Sequence, residues 1–358
     1  MFRWIRAYLT HANLTATLAV FIALGVGASS SLAATGTVYY DSRNVGAGHD
    51  LFNATFTGLD NVGIGDPLMP NLTSGSSNIA IGHLTLRSNT TGGDNVANGT
   101  AALLSNTSGN DNIASGFGAL AGNTTGANNV GIGTQALNHN NGADNVASGY
   151  KAMFSNTTGG DNVASGIRAL YSNTAGNANI ASGFEALYAN TSGDGNLADG
   201  ANALHQNTNG NNNVASGYNA LFFNGGNNNV ASGYQALVNN SIGNNNVAIG
   251  SNAGSKLTTG SNNIDIANPG VAGESGTIRI GNANQNRVFL NGVYRNHLNG
   301  RAVVINAAGR IGTAPAAPGS RQAHRISRLR DQVRQQSAEL RQQGEAIERL
   351  RQQVQNGG

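Results

Sequence analysis

Apolar side chains in this chain recur at one long fixed interval, not at the 3.6-residue spacing of a helix or the alternation of a long strand. The string Asn-[Val/Ile/Leu]-[Ala/Gly]-x-Gly begins at Asn44, Asn61, Asn78, Asn95, Asn112, Asn129 and Asn145. It continues at Asn162, Asn179, Asn196, Asn213, Asn229 and Asn246, with a frayed copy at Asn263. The interval is 17 residues except from Asn129 to Asn145 and from Asn213 to Asn229, where it is 16. Both short intervals lose a residue from the same turn, where Asn140-Asn141-Gly142 and Asn224-Gly225-Gly226 replace Asn-Thr-x-Gly. A register kept this strictly predicts stacked coils that share a core. The fold class expected is an all-β parallel β-solenoid, a β-roll of 14 copies over residues 44–268.

Each unit reads N-V-A-S-G-Y-x-A-L-x-x-N-T-x-G-x-x. The invariant branched residue at position 2 and the Leu, Met or Phe at position 9 are expected to point into the core. Position 3 accepts nothing larger than Ala until Asp265, which implies close approach of another backbone. Gly at position 5 and near position 15 marks corners that need positive φ or tight clearance. The position 1 asparagines, among them Asn112, Asn129, Asn145, Asn162, Asn179, Asn196, Asn213 and Asn229, are expected to stack as an amide ladder, with a second ladder at position 12. Two short strands per coil is the simplest reading, although the A-L-x-x segment also suits a single helical turn. At about 4.8 Å per coil the array would be roughly 60 Å long. Its core of one branched residue, one or two Ala and a Leu per coil is thin, which favours lateral association of identical chains.

The flanks follow different patterns. Arg3 and Arg6 precede the apolar stretch Leu18–Ala28 and the small-x-small triplet Ser31-Leu32-Ala33, so residues 1–34 read as a secretory signal peptide, or as an N-terminal membrane anchor if uncleaved. Residues 269–312 read as a β neck or cap, with strands expected at Thr277–Gly281, Arg287–Leu290 and Arg301–Ile305. A Pro/Ala linker over 313–320 leads to a heptad in 321–358. There Ile326, Val333, Leu340, Ile347 and Val354 recur every seven residues, and Leu329 and Leu350 share the alternate core position with Gln336 and Gln343. That pattern predicts a coiled coil that would align several copies of the chain.

Composition sharpens this picture. The 358 residues include 51 Gly and 54 Asn but no Cys, so disulfides and thiolate chemistry are excluded. The net charge of +3 conceals an acidic body. Residues 44–268 carry four Lys/Arg against eleven Asp/Glu, while residues 269–358 carry thirteen Arg against five acids. The basic balance therefore belongs to the tail, and no nucleic-acid partner is expected. Gly131-x-Gly133-x-x-Ala136 is one register of the repeat outside any βαβ unit, so no dinucleotide cofactor is expected. The His residues form no ligand pair, and no nucleophile constellation surrounds the recurring Ser. Asp94, Asp111, Asp144 and Asp161 invite a calcium reading, weakened because Asn often replaces them. Neither catalytic nor metal residues are assigned, and an enzyme is not expected. Tyr150, Phe154, Tyr171, Phe184, Tyr188, Tyr218, Phe222 and Tyr234 form an aromatic stripe, able to stack on sugar rings or to pack between chains.

Copies such as NVASGYQALVNNSIGNNNVAIG (229–250) resemble the YadA-like head repeats of trimeric autotransporter adhesins. Residues 44–312, including NPGVAGESGTIRIG, more closely resemble tail-fibre-like repeat proteins of bacteria and phages. The membrane-barrel strands of the first group and the self-cleaving chaperone domain of the second have no counterpart after residue 320. The string LTHANLTATLAVFIALG is similar to actinobacterial export segments. Together these resemblances imply a homotrimeric fibre, secreted or at the cell surface, that carries no catalysis and meets a surface glycan or protein ligand. Rival readings are a phage-derived receptor-binding fibre and a ligand array of the ice-binding type on the Thr90, Thr107, Thr124, Thr157, Thr174, Thr191 and Thr208 column.

Overall fold

A computed structural model describes residues 37–40, 43–53, 55–285, 287, 303–305, 311–313 and 319–355. The export segment, all but Arg287 of the strand expected at Arg287–Leu290, the first two residues of the one expected at Arg301–Ile305 and most of the linker lie outside them. The described chain forms two units, divided after Asn286.

The first unit is a parallel β-solenoid. Strand β1 (Thr37–Tyr40) pairs antiparallel with β2 (Val45–Gly48) and caps the stack. From β2 onward each coil contributes one short strand: β3 (Val62–Asp66), β4 (Ile79–His83), and then three-residue strands from β5 (Val96–Asn98) to β15 (Ile264–Ile266). The last strand of the stack is β16 (Ile278–Ile280), and the sheet runs β1 to β16 in sequence order. Equivalent positions align from coil to coil: Val146 faces Val163, Ala147 faces Ala164 and Ser148 faces Ser165. The two 16-residue coils do not disturb this register, since Val130 still pairs Val146 and Val214 still pairs Val230.

Two expectations about the unit need correction. Position 2 does not point into the core. Successive strand residues alternate faces, and with the position 1 Asn and position 3 Ala both buried, positions 2 and 4 must face out. Ala164 is fully buried while its neighbour Val163 is 40% exposed. The core is therefore built from Ala at positions 3 and 8 and Leu or Met at position 9. Position 3 stays small because that core is crowded: a Cβ at Gly131 would lie 3.3 Å from both the Ala136 carbonyl and Leu120 Cγ.

Nor is there a second strand or a helical turn over A-L-x-x. The chain makes consecutive turns, closed by bonds such as Ala152 N–H to Gly149 O and Asn156 N–H to Met153 O. Positions 7 and 9 take positive φ, as at Lys151 (55°) and Met153 (50°). This turns alternate N–H groups in opposite directions along the stack. Lys151 N–H donates back to Thr134 O, and Met153 N–H donates forward to Ala169 O. Turn segments are thus bonded between coils as continuously as strands.

Asparagine fills what apolar residues leave open. Asn162 is fully buried, and its Nδ2 donates to Asn145 Oδ1 at 3.1 Å and to Gly176 O at 2.9 Å. Its Oδ1 accepts the backbone N–H of Asn179 at 2.9 Å and the Asn179 side chain at 3.2 Å. Every hydrogen-bonding site of this buried amide is occupied, which removes the penalty of burying it. Asn112, Asn129, Asn145, Asn179, Asn196, Asn213 and Asn229 occupy the same column. A second column runs through position 12, where Asn173 joins Asn156 Oδ1 and the same Gly176 carbonyl.

The first deletion is repaired by a side chain. In an ordinary coil the N–H groups of Thr90, Thr91 and Gly92 converge on Thr107 O. Where the residue is missing, those of Thr124, Thr125 and Gly126 converge on Asn141 Oδ1 at 3.1, 2.9 and 3.3 Å.

The second unit holds the antiparallel pair β17 (Val303–Ile305) and β18 (Ile311–Thr313) and the helix α1 (Gly319–Gln355). Along α1, Ile326, Leu329, Val333, Leu340, Ile347 and Leu350 are all at least half exposed. Val354 continues the same seven-residue row near the end of the helix.

Candidate functional site

Six consecutive coils, those beginning at Asn145 through Asn229, differ from the rest on the surface that positions 4, 6, 7 and 10 share. Elsewhere position 4 carries Ile64, Ile81, Ile132, Ile249 and Ile266, all exposed, with Ala47, Asn98 and Ser115 as exceptions. In the six coils it carries Ser148, Ser165, Ser182, Asp199, Ser216 and Ser232, also exposed. Aromatic rings stand at positions 6 and 10 over the same stretch, and Phe117 extends the position 6 set to the coil beginning at Asn112. The side chains change over these coils while the strand register does not.

The eight aromatic candidates separate into two columns. At position 10, Phe154, Tyr171, Tyr188, His205 and Phe222 form an unbroken half-buried stack, with ring centroids 5.3, 5.2, 5.1 and 4.8 Å apart and planes within 10° of parallel. His139 caps it edge-on at 4.6 Å, and Phe223 closes the other end edge-on, also at 4.6 Å. The ring spacing follows the coil spacing, so the parallel stack is imposed by the solenoid. His205 was missed in the sequence because its membership depends on position 10 and not on residue type.

At position 6, Tyr150, Phe184, Tyr218 and Tyr234 are 45–50% exposed. Tyr218 and Tyr234 stack at 5.6 Å, while Ile167 and Ala201 separate the others. Position 7 lies between the columns and carries charge. Lys151 Nζ sits 5.4 Å from the Tyr150 ring and 5.2 Å from that of Phe154. The Arg168 guanidinium is 5.8 Å from Phe184 and 5.9 Å from Tyr188. Arg168 also meets Glu185 at 2.8 Å, and the other Glu185 oxygen is 3.2 Å from His205 Nε2. Among the described residues four buried side-chain atoms lack a partner, and two of them, His205 Nδ1 and Asn219 Oδ1, belong to these columns.

The other two are the carboxylate oxygens of Asp265, which occupies position 3 of the frayed last coil and is 1% exposed. Burial, with the nearby Glu274 charge, pushes the Asp265 carboxyl up to about 6. Glu274 lies below the usual carboxylate range because Arg279 donates to it, at 2.7–3.0 Å.

Two other sequence-derived candidates have structural explanations. Asp94, Asp111, Asp144 and Asp161 all take φ of 57–60°, a conformation that Asp and Asn tolerate best, and Asn128, Asn212 and Asn245 share it. Their alternation follows from the turn. The Thr column spends its hydroxyl protons internally: Thr90, Thr107, Thr157, Thr174 and Thr191 donate to the carbonyl one coil on, as Thr90 does to Thr107 O at 2.9 Å, while Thr124 and Thr208 donate to the side-chain oxygens of Asn141 and Asn209. Asn141 and Gly225 interrupt it. That arrangement does not favour a Thr ligand array.

Among the described residues no group of three or more His, Asp or Glu could hold a metal ion, and no helix is long and apolar enough to cross a membrane. No protein-family model matches the chain, and no curated protein matches its sequence. The β-solenoid is a fold typical of structural repeat proteins.

Proposed function

We propose that this chain is an exported, non-catalytic surface fibre, adhesin-like or a structural stalk, that presents one binding surface repeatedly along its length. The exposed apolar column at position 2 carries this reading. Val96, Ile113, Val146, Val163, Ile180 and Leu197 are 36–46% exposed in one file along the sheet, an expensive surface to leave in water. Covering that file with identical chains accounts for it, and the half-exposed heptad of α1 supports the same assembly, three chains aligned by a coiled coil. The function is then presentation. A stack of hydrogen-bonded coils holds many weak contacts at fixed spacing, and avidity multiplies them.

Sedimentation velocity and equilibrium on residues 35–358 test the proposal. Three chains in an elongated particle support it. A folded monomer at micromolar concentration would overturn it and leave the solenoid a self-sufficient array.

A further inference from the structure

Within the position 6 column, Tyr150, Phe184 and Tyr218 are 34 residues and two coils apart, with Ile167 and Ala201 on the coils between. Their interval is about 9.6 Å, twice the inter-strand distance. It is close to the two-sugar repeat of an extended β-1,4-linked polysaccharide, whose flat apolar faces recur once per pair of sugars. Each ring is nearly half exposed, at 47, 45 and 48%. Exposed hydroxyls of Ser148, Ser182 and Ser216 flank the row on one side. On the other side Lys151 and Arg168 lie within 6 Å of the Tyr150 and Phe184 rings. Pyranose recognition needs this pairing, an apolar platform under the ring face with donors and acceptors at its edges.

Charge selects the kind of polysaccharide. Arg168 is compensated by Glu185, and the coil region 44–268 carries four cations against eleven acids. A polyanion, whether nucleic acid or acidic glycan, meets a net negative surface. A neutral chain does not. We propose that the row of Tyr150, Phe184 and Tyr218 is a binding rail for a neutral, extended β-1,4-linked polysaccharide that lies along the solenoid axis. The assignment names the ligand class of the surface-fibre reading and rests on it. The rail shares no residue with the position 2 file, so association and glycan binding engage different columns.

The test is isothermal titration of the full chain with cellohexaose and with chitohexaose, with glucose and the α-1,6-linked polymer dextran as controls. The rail predicts that at least one hexasaccharide binds and that neither control does. Replacing Tyr150, Phe184 and Tyr218 together by Ala lowers that affinity about tenfold or more, the loss expected when aromatic anchors are removed. Ile242→Ala, at an exposed turn position off the row, changes it less than about twofold. Sedimentation of the triple variant separates the two proposals. Unchanged mass with lost binding supports the rail. Changed mass assigns these rings to the chain–chain contact and overturns it. Failure of both hexasaccharides, equal binding by the triple variant, or preference for a polyanion or a protein also overturns it. None of these last results disturbs the fibre reading if the particle remains an elongated trimer.

Discussion

Asn145 and Asn162 share one oxygen: Asn145 Oδ1 accepts both the backbone N–H and the side-chain Nδ2 of Asn162, each at 3.1 Å. Because the next coil repeats the arrangement, each Asn closes the coil before it and prepares the coil after it. Replacing Asn162 by Ala leaves the backbone N–H of Asn179 without its acceptor in a dry core and takes one of two donors from both Asn145 Oδ1 and Gly176 O. A cost of about 3 kcal/mol is expected, as for unpaired buried polar groups. Asn162→Asp is expected to be worse at neutral pH, since a carboxylate oxygen would face Asn145 Oδ1 and Gly176 O where Nδ2 donated. Urea unfolding at pH 5 and pH 8 checks both. A loss below about 1 kcal/mol for the Ala variant would place the ladder among ordinary exposed hydrogen bonds.

The position 5 glycines are required twice over. Gly166 has φ of 139°, and a Cβ there would stand 2.4 Å from the Gly183 carbonyl of the next coil. Gly166→Ala therefore combines a conformation reserved for glycine with a backbone clash that no rotamer relieves. Destabilisation of about 3 kcal/mol or more is expected. Gly160→Ala, in a half-buried turn without positive φ, meets Ala143 O at 3.1 Å and Asn177 Oδ1 at 3.9 Å and serves as the milder comparison. Thermal denaturation ranks the two, and equal midpoints would remove the coil-to-coil contact from the argument.

The period, the strand register and the position of the glycines were legible because each follows from stacking identical coils. The inward or outward sense of each position was not. Val at position 2 reads as core in any window, and only the full burial of Asn162 and Ala164 on either side forces Val163 outward. The turn run of positions 6–11 was illegible for a related reason. Leu at φ near 50° is disfavoured locally, and it persists because Leu170 N–H reaches Ala186 O in the next coil. On the candidate surface the aromatic residue types were visible, but the division into a stacked inner column and an exposed outer one depends on which way the turn faces.

Asp265 places a pH-sensitive group at the C-terminal end of the stack. Its carboxyl titrates at about 6 in the folded chain and near 4 when unfolded. Below the unfolded value both states are protonated and nothing is lost. As pH rises through 6 the unfolded chain has already ionised freely, so the stability present in acid is lost, by about 2–3 kcal/mol. Glu274 acts in the opposite sense. Its pKa is lowered by the Arg279 hydrogen bond, so its contribution is present above the ordinary carboxylate pKa and disappears as pH falls through the depressed one. The end coil should therefore be firmest in mildly acid solution. Asp265→Asn is expected to flatten the decline between pH 4 and pH 7, read as hydrogen exchange at the Gly281 amide, which donates to Ile266 O. The same decline in the variant would assign the pH dependence elsewhere.

Association and folding can be separated on the strand face, since an outward position can be charged without touching the core. Val163 and Ile180 are 40 and 46% exposed on neighbouring coils, and their backbone bonds to Asn179 O and Asn196 O do not involve the side chains. Val163→Lys with Ile180→Lys should leave the solenoid's circular dichroism unchanged while weakening chain–chain contact, because two like charges would be buried on every copy. Removing residues 320–358 attacks the same assembly from its other proposed support, the exposed heptad of α1. If both regions hold the chains together, each change alone raises the concentration at which the oligomer half-dissociates in sedimentation equilibrium, and the combination yields folded monomer. An unchanged mass after the helix is removed would take the coiled coil out of assembly. An unchanged mass after the Lys pair would show that the position 2 file faces water in the oligomer, and the contact would then have to lie on another column.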